Sequence, residues 1–131
     1  MQRILWGDDR IELLGAVRAL LESHFELVGA VEDGAAALEA ARALEPDVVV
    51  LDISMPKLTG IEVARQLQKD EGGPAIVFLT VHADLEIVEA ALETGALGYV
   101  LKIYAGRELV TAINEALEGR QYISQALREA K

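Results

Sequence analysis

The chain of 131 residues has no cysteine, only 3 prolines and 5% aromatic residues, and its 12 Lys and Arg are outnumbered by 22 Asp and Glu. Without cysteine it forms neither a disulfide framework nor a thiolate metal site, a composition that suits a reducing compartment. The formal charge of −10 opposes binding to nucleic-acid phosphates, which depends on clustered Lys and Arg. Direct binding of DNA by this chain is therefore not expected.

Long apolar runs are also missing. No segment approaches the roughly 18–20 apolar residues that a membrane span requires, and the N-terminal "MQRILWGDDR" lacks an apolar stretch of the signal-peptide kind. A cytoplasmic location without membrane contact is the expectation. Hydrophobic residues nevertheless make up 52% of the chain, which is enough to fill one core without disulfides or structural metal ions. One domain is predicted.

Short apolar runs alternate with longer helical patterns five times along the chain. The runs are "RILW" (3–6), "ELVGAV" (26–31), "DVVVL" (47–51), "AIVFL" (75–79) and "GYVL" (98–101). Several runs are apolar throughout, which is typical of parallel strands covered by helices on both faces. Among the helices, one is predicted to start after Asp33 and end before Pro46, one covers 84–94, and one carries an apolar stripe from Leu109 to Leu117. The pattern predicts a single doubly wound α/β domain.

Polar side chains follow four of the five predicted strands. Asp8 and Asp9 come after the first strand, Asp52 after the third, Thr80 after the fourth and Lys102 after the fifth. Ligands of an open parallel sheet bind beyond the carboxyl ends of its strands, near the point where strand order reverses. We therefore expect these side chains to converge on one site.

The chemistry of this set points to phosphoryl transfer. Three carboxylates close together repel one another, and one Lys does not balance them, whereas a hard divalent cation with oxygen ligands does. Mg²⁺ is the natural choice because it binds one or two carboxylates and shares its sphere with water and phosphate. A carboxylate, Mg²⁺, a hydroxyl and an ammonium stabilise a phosphoryl group in transfer, and a carboxylate also serves as acceptor. Asp52 is the best candidate for the acceptor.

Four motifs together resemble the receiver domain of two-component response regulators. They are "GDD" (7–9), "DISMPKLTGIE" (52–62), "LTVHAD" (79–84) and "GALGYVLK" (95–102). The resemblance implies a flavodoxin-like (βα)5 domain with a five-stranded parallel sheet of order 2-1-3-4-5, expected over residues 1–120. The closing "ALEGRQYISQAL" is similar to the end of NarL/FixJ-type receivers, which continue into a LuxR-type helix-turn-helix domain. Residues 121–131 are accordingly expected to resemble the start of a linker, with no output domain following.

The resemblance also implies roles for the residues that match the motifs. Asp52 would accept a phosphoryl group from a phosphohistidine on a sensor histidine kinase, and Lys102 would pair with the phosphoryl oxygens. Asp9 would bind Mg²⁺ directly and Asp8 directly or through water, with Asp52 and the backbone carbonyl of Ser54 completing the protein's share of the ligands. The chain would catalyse only its own phosphorylation and dephosphorylation and would not otherwise be an enzyme. A second copy of the chain is a further candidate partner.

Two pairs of residues would regulate this switch. Thr80 would move to hydrogen-bond the phosphoryl group, and Tyr99 would change rotamer with it, which would reshape the face formed by the fourth helix, fifth strand and fifth helix. Ser54 and His82, two residues beyond Asp52 and Thr80, occupy positions that tune the lifetime of the phosphate in this family. The implied output is control of transcription.

Four residues depart from the family's pattern. Ile103 and Tyr104 follow Lys102 where Pro commonly comes first, and Trp6 and Gly7 precede the acidic pair where a smaller apolar residue and Ala are more usual. A degenerate receiver that works only as an interaction module is therefore the main alternative. A phosphatase of the haloacid-dehalogenase kind is the weaker one, because it needs a carboxylate where this chain has Ser54.

Overall fold

The computed structural model describes residues 1–129, in which strands and helices alternate. The strands are β1 (Arg3–Gly7), β2 (Glu26–Val31), β3 (Val48–Leu51), β4 (Ala75–Thr80), β5 (Gly98–Leu101) and β6 (Tyr122–Ile123). The helices are α1 (Gly15–His24), α2 (Gly34–Leu44), α3 (Gly60–Gln68), α4 (Leu85–Glu93), α5 (Ala105–Leu117) and α6 (Gln125–Glu129), with 3₁₀ turns at Ile11–Leu13 and Lys102–Tyr104. Within residues 1–129 no helix has the length and apolar character needed to cross a membrane.

The sheet is parallel throughout, with strand order β2-β1-β3-β4-β5-β6. The predicted flavodoxin-like core of five strands is confirmed, and β6 extends it by one short strand. The backbone N–H groups of Tyr122 and Ser124 donate to the carbonyls of Leu97 and Tyr99, each at 2.8 Å. β6 therefore pairs with backbone groups of β5 that an edge strand would leave open.

Side chains of the central strands point alternately to two apolar layers, as the period of two in a strand requires. Trp6 and Val50 face the layer under α1 and α5, whereas Leu5, Val49 and Phe78 face the layer under α2, α3 and α4. These five side chains are completely buried. Burial of each large side chain contributes about 1.5–3 kcal/mol, so the two layers hold the strands rigidly in register.

The ends of the helices follow local capping rules. Asp33 caps α2 as predicted, its Oδ1 accepting from the N–H of Ala36 at 2.7 Å. Thr59 and Glu62 form a reciprocal capping box at the start of α3. Gly95, just after α4, has φ of +93°, a conformation that favours glycine. These caps define where α2 and α3 begin and where α4 ends beside the sheet.

A close backbone approach holds the loop after β3 in place. A Cβ atom on Gly60 would lie 2.0 Å from the carbonyl oxygen of Asp52, and a Cβ atom on Gly34 would lie 2.0 Å from that of Leu58. The N–H of Gly60 uses this proximity by donating to the carbonyl of Ile53 at 2.8 Å. The loop between β3 and α3 is therefore packed against two glycines that have no room for a side chain.

We predict that Gly60→Ala destabilises the fold by about 1–3 kcal/mol, because the added methyl group overlaps a backbone carbonyl that has no free direction to move. Urea unfolding followed by circular dichroism would measure the loss. Gly106→Ala is the matched control, since Gly106 lies in α5 and the new Cβ would have no atom within 4 Å apart from its chain neighbours and the nearby backbone of its own helix. The control should be neutral or more stable, and equal stability of the two variants would contradict the close-approach explanation.

Candidate functional site

The carboxyl ends of three strands bring together two buried carboxylates and one ammonium. Lys102 Nζ lies 2.7 Å from Asp8 Oδ2 and 2.9 Å from Asp52 Oδ2. Asp8 and Asp52 are buried, and the side chain of Lys102 is 12% exposed. Because β1, β3 and β5 are parallel, their ends meet at one edge of the sheet, and this prediction from the sequence is confirmed for these three side chains.

The second oxygen of each carboxylate is held by a backbone donor. Asp8 Oδ1 accepts from the N–H of Arg10 at 2.8 Å, and Asp52 Oδ1 accepts from the N–H of Ile53 at 2.7 Å. These bonds fix the planes of the carboxylates, so that both Oδ2 atoms face Lys102. The site is thus held in one geometry before any ligand arrives.

The acidic cluster fits a hard metal ion. Carboxylate oxygens of Asp8, Asp9 and Asp52 lie within 4.8 Å of one another, and Asp9 is exposed. The cluster contains three carboxylates, and Lys102 contacts two of them, Asp8 and Asp52. Oxygen donors with an open, water-accessible side suit Mg²⁺, which retains several waters. Ser54, predicted to add its carbonyl oxygen, lies two residues beyond Asp52 in the exposed part of the β3–α3 loop.

The two carboxylates keep Lys102 charged. Burial by itself would lower the pKa of Lys102, but the contacts with Asp8 and Asp52 and the charges of these groups raise it above its ordinary value. A raised lysine pKa adds stability that is present below the unfolded-state pKa and is lost as the pH rises through the folded-state pKa. The ammonium is therefore fully charged at neutral pH.

The backbone of His82 contacts both predicted switch residues. Thr80 Oγ1 accepts from the N–H of His82 at 3.3 Å, and the Tyr99 hydroxyl donates to the carbonyl of His82 at 2.8 Å. Thr80 and Tyr99 are completely buried. Burial, followed by the negative charges of Asp52 and Asp84, raises the pKa of the Tyr99 phenol well above its usual range, so it remains a donor.

The two predicted tuning residues contact each other. Ser54 Oγ and His82 Nε2 are 2.7 Å apart, which joins the loop after β3 to the loop after β4. The sequence predicts a role for each position separately, but it does not predict this contact, because the residues are 28 positions apart.

The four residues that depart from the family's pattern lie in different surroundings. Ile103 is 79% exposed beside Lys102, and no peptide bond among residues 1–129 is cis. Tyr104 is half-buried under the guanidinium of Arg107, 4.8 Å from its ring centroid. Trp6 is completely buried, and its indole Nε1 has no hydrogen-bond partner among the residues that the structure describes. A Cβ atom on Gly7 would lie 3.1 Å from the side chain of Leu51.

Sequence reasoning missed a buried carboxylate on α5. Glu108 is 3% exposed and accepts hydrogen bonds from the Ser124 hydroxyl, the Tyr122 hydroxyl and the N–H of Gln125. Burial would raise its pKa, but these donors together lower it. The sequence does carry a signal for this burial. Glu108 lies three residues after Ala105 and four before Ala112, which places it on the apolar stripe of α5.

The chain is similar to known proteins over most of its length. A family model described as "Response regulator receiver domain" matches residues 4–114. The probable transcriptional regulatory protein NarL of Mycobacterium tuberculosis is 37% identical over 127 residues, which cover 95% of this chain and 59% of that protein. The chain thus spans about three fifths of this curated relative.

Solved structures are similar to this chain over nearly its full length. The crystal structure of a two-component response regulator of the LuxR family from Aurantimonas sp. SI85-9A1 has a TM-score of 0.92 and 32% identity, covering 98% of this chain and 94% of that one. The isolated REC domain of RcsB from Salmonella enterica serovar Typhimurium, solved with the phosphomimetic BeF3-, has a TM-score of 0.88 and 25% identity, covering 98% and 96%. The chain belongs to the response regulator receiver domain family.

Proposed function

We propose that the chain is a phosphorylation-controlled switch of a two-component system, in which Asp52 accepts a phosphoryl group from a phosphohistidine of a sensor histidine kinase. The observation that carries this proposal is the bridge of Lys102 between Asp8 and Asp52 at the carboxyl edge of the sheet. Two buried carboxylates around one ammonium cost desolvation energy that apolar side chains would avoid, so this cluster favours a chemical role over a purely structural one.

In the transfer, a carboxylate oxygen of Asp52 forms a bond to phosphorus as the bond from phosphorus to the histidine nitrogen breaks. The electron pair of that bond stays on the imidazole, which takes up a proton. Lys102, already 2.9 Å from Asp52, stabilises the phosphoryl oxygens. Mg²⁺, held by Asp8, Asp9, Asp52 and the carbonyl of Ser54, would supply further charge neutralisation when bound.

The response to phosphorylation begins at Thr80. The Thr80 hydroxyl would donate its proton to a phosphoryl group on Asp52, while its oxygen accepts from the N–H of His82, whose carbonyl accepts from the Tyr99 hydroxyl. The new charge would therefore shift the equilibrium between two arrangements of Thr80, His82 and Tyr99. The face formed by α4, β5 and α5 would change conformation with them. The Ser54–His82 contact would limit access of the attacking water and so set the phosphate lifetime.

The output proposed for this switch is control of transcription in the cytoplasm. Similar proteins are called transcriptional regulatory proteins and are longer than this chain. With a net charge of −10, the chain would act through its kinase, a second copy of itself or an output domain, and would not bind nucleic acid directly. It would catalyse only the gain and loss of its own phosphoryl group.

A degenerate receiver is the second candidate, and the exposed Ile103 favours it. An apolar side chain that is 79% exposed directly beside Lys102 suits a surface for protein contact more than one for phosphoryl exchange. The two candidates differ in whether Asp52 gains a phosphoryl group, which the following experiments measure.

Asp52→Asn is expected to fold normally and to lose phosphorylation, because an amide is too weak a nucleophile to accept the phosphoryl group. Incubation with acetyl phosphate and Mg²⁺ followed by Phos-tag electrophoresis measures this. Asp70→Asn is the matched control, since Asp70 pairs with Arg42 away from the site, and it should be labelled like the parent chain. Stoichiometric labelling of Asp52→Asn would refute the acceptor assignment.

Mg²⁺ is expected to quench the fluorescence of Trp6 saturably, since this single tryptophan is buried two residues before Asp8. Asp9→Asn should raise the apparent Kd for Mg²⁺ by about tenfold or more, the loss typical of removing one charged ligand contact. Glu22→Gln, a change of an exposed carboxylate on α1, is the control and should leave the titration unchanged. An independent calorimetric titration that detects no Mg²⁺ binding would favour the degenerate receiver.

Lys102→Ala is expected to keep Mg²⁺ binding, because Lys102 competes with the metal ion for Asp8 and Asp52. Phosphorylation should slow by about 100-fold, the usual cost of removing one donor that stabilises transition-state charge. Rates with acetyl phosphate at saturating Mg²⁺ measure this, with the exposed Lys69→Ala as control. Loss of Mg²⁺ binding in Lys102→Ala would show that this role of the lysine is misplaced.

A further inference from the structure

Ser124 joins the C-terminal segment, residues 122–129, to the end of β5. Its hydroxyl oxygen accepts from the N–H of Leu101 at 2.9 Å, and its own N–H donates to the carbonyl of Tyr99 at 2.8 Å. Leu101 is the residue before Lys102, and Tyr99 is the aromatic residue bonded to His82. One completely buried serine therefore bonds to the backbone on which Lys102 and Tyr99 are placed.

Glu108 holds this serine from the other side. The Ser124 hydroxyl donates to Glu108 Oε1, while the Tyr122 hydroxyl and the N–H of Gln125 each donate to Oε2 at 3.1 Å. All three donors belong to the C-terminal segment. A buried carboxylate is costly unless it is fully hydrogen-bonded, so Glu108 favours the arrangement in which this segment is docked.

The C-terminal segment depends on these contacts for its order. It consists of a two-residue strand and a five-residue helix, neither of which is stable alone in water. Besides the hydrogen bonds, it is held by Leu127, which is 4% exposed and packs in the apolar layer that contains Tyr99 and Leu101. Its docking is therefore coupled to the position of β5.

We propose that Glu108 and Ser124 form a latch that positions the end of β5 and couples the state of Asp52 to the order of the C-terminal segment. The coupling to Asp52 rests on the proposed function; the latch itself does not. A phosphoryl group on Asp52 adds negative charge facing Lys102 and so restrains the end of β5, including the N–H of Leu101. Since coupling between sites is reciprocal, this restraint stabilises the docked segment, and the docked segment positions Lys102. Ser124 is thus a positioning residue.

Hydrogen exchange of the full chain, measured by mass spectrometry on peptides covering 122–129, tests the latch. In the ligand-free protein, Ser124→Ala and Glu108→Gln should speed exchange in these peptides by about fivefold or more, because each removes hydrogen bonds that hold the segment. Tyr122→Phe, which removes one donor from a half-buried ring, should do so to a smaller extent and still fold. Ser23→Ala and Glu22→Gln, exposed neighbours on α1, are the matched controls. Unchanged exchange in all three latch variants would overturn the latch.

The coupling is tested with beryllofluoride and Mg²⁺, whose binding is followed separately by ¹⁹F NMR. Bound beryllofluoride should slow exchange of 122–129 by about fivefold in the parent chain and have little effect in Ser124→Ala. Binding with unchanged or faster exchange in the parent chain would overturn the coupling while leaving the proposed function intact. No bound fluoride signal would instead overturn the proposed function, and with it the coupling.

A second readout separates positioning of Lys102 from general loosening of the fold. Ser124→Ala should slow phosphorylation by acetyl phosphate at saturating Mg²⁺ while leaving the Kd for Mg²⁺, measured through Trp6, unchanged. The proposed Mg²⁺ ligands lie at the ends of β1 and β3, whereas the hydrogen bonds of Ser124 to the sheet are with Tyr99 and Leu101 of β5. An unchanged phosphorylation rate, or an equal loss in rate and Mg²⁺ affinity, would overturn the positioning role.

Discussion

The ammonium of Lys102 between Asp8 and Asp52 is the interaction on which the rest of the site depends. Two carboxylates in a buried position repel each other, and a cation between them offsets that repulsion. Lys102 supplies this cation, with its Nζ 2.7 Å from Asp8 Oδ2 and 2.9 Å from Asp52 Oδ2. It leaves the exposed Asp9 without this partner, so the acidic cluster could hold a hard cation. The same ammonium would face a phosphoryl group attached to Asp52 in the proposed function.

The apolar sheet makes this arrangement rigid. Strands β1, β3 and β5 are buried on both faces, so the residues just beyond them have little freedom to move apart when their charges repel. Gly60 also constrains the position of Asp52, because a residue without a side chain lets α3 begin against the carbonyl of Asp52. Positioning and charge are thus established by the fold itself, which is what phosphoryl transfer requires of a protein.

Much of the fold and of the site could be predicted from the sequence. The features that could not be predicted have a common physical cause. Apolar runs and the polar residues after them have local signals, so the sheet core and the meeting of Asp8, Asp52 and Lys102 were predictable. A two-residue strand has no periodicity to detect, so β6 was missed. The burial of Glu108 depends on donors from the C-terminal segment, up to 17 residues away, and the Ser54–His82 contact spans 28 positions. Such contacts are determined by tertiary packing.

The position of β6 bears on the face of α4, β5 and α5 that was proposed to change shape. This face is not bare, because β6 lies along β5 and α6 places Leu127 in the same apolar layer as Tyr99. A partner that binds this edge must either accept the docked segment as part of its surface or displace it. Displacement breaks the backbone bonds of Tyr122 and Ser124 to Leu97 and Tyr99, at about 0.5–1.5 kcal/mol each, and removes the hydrogen-bond donors of Glu108. Recognition of the docked segment would therefore be the less costly route for a partner of this edge.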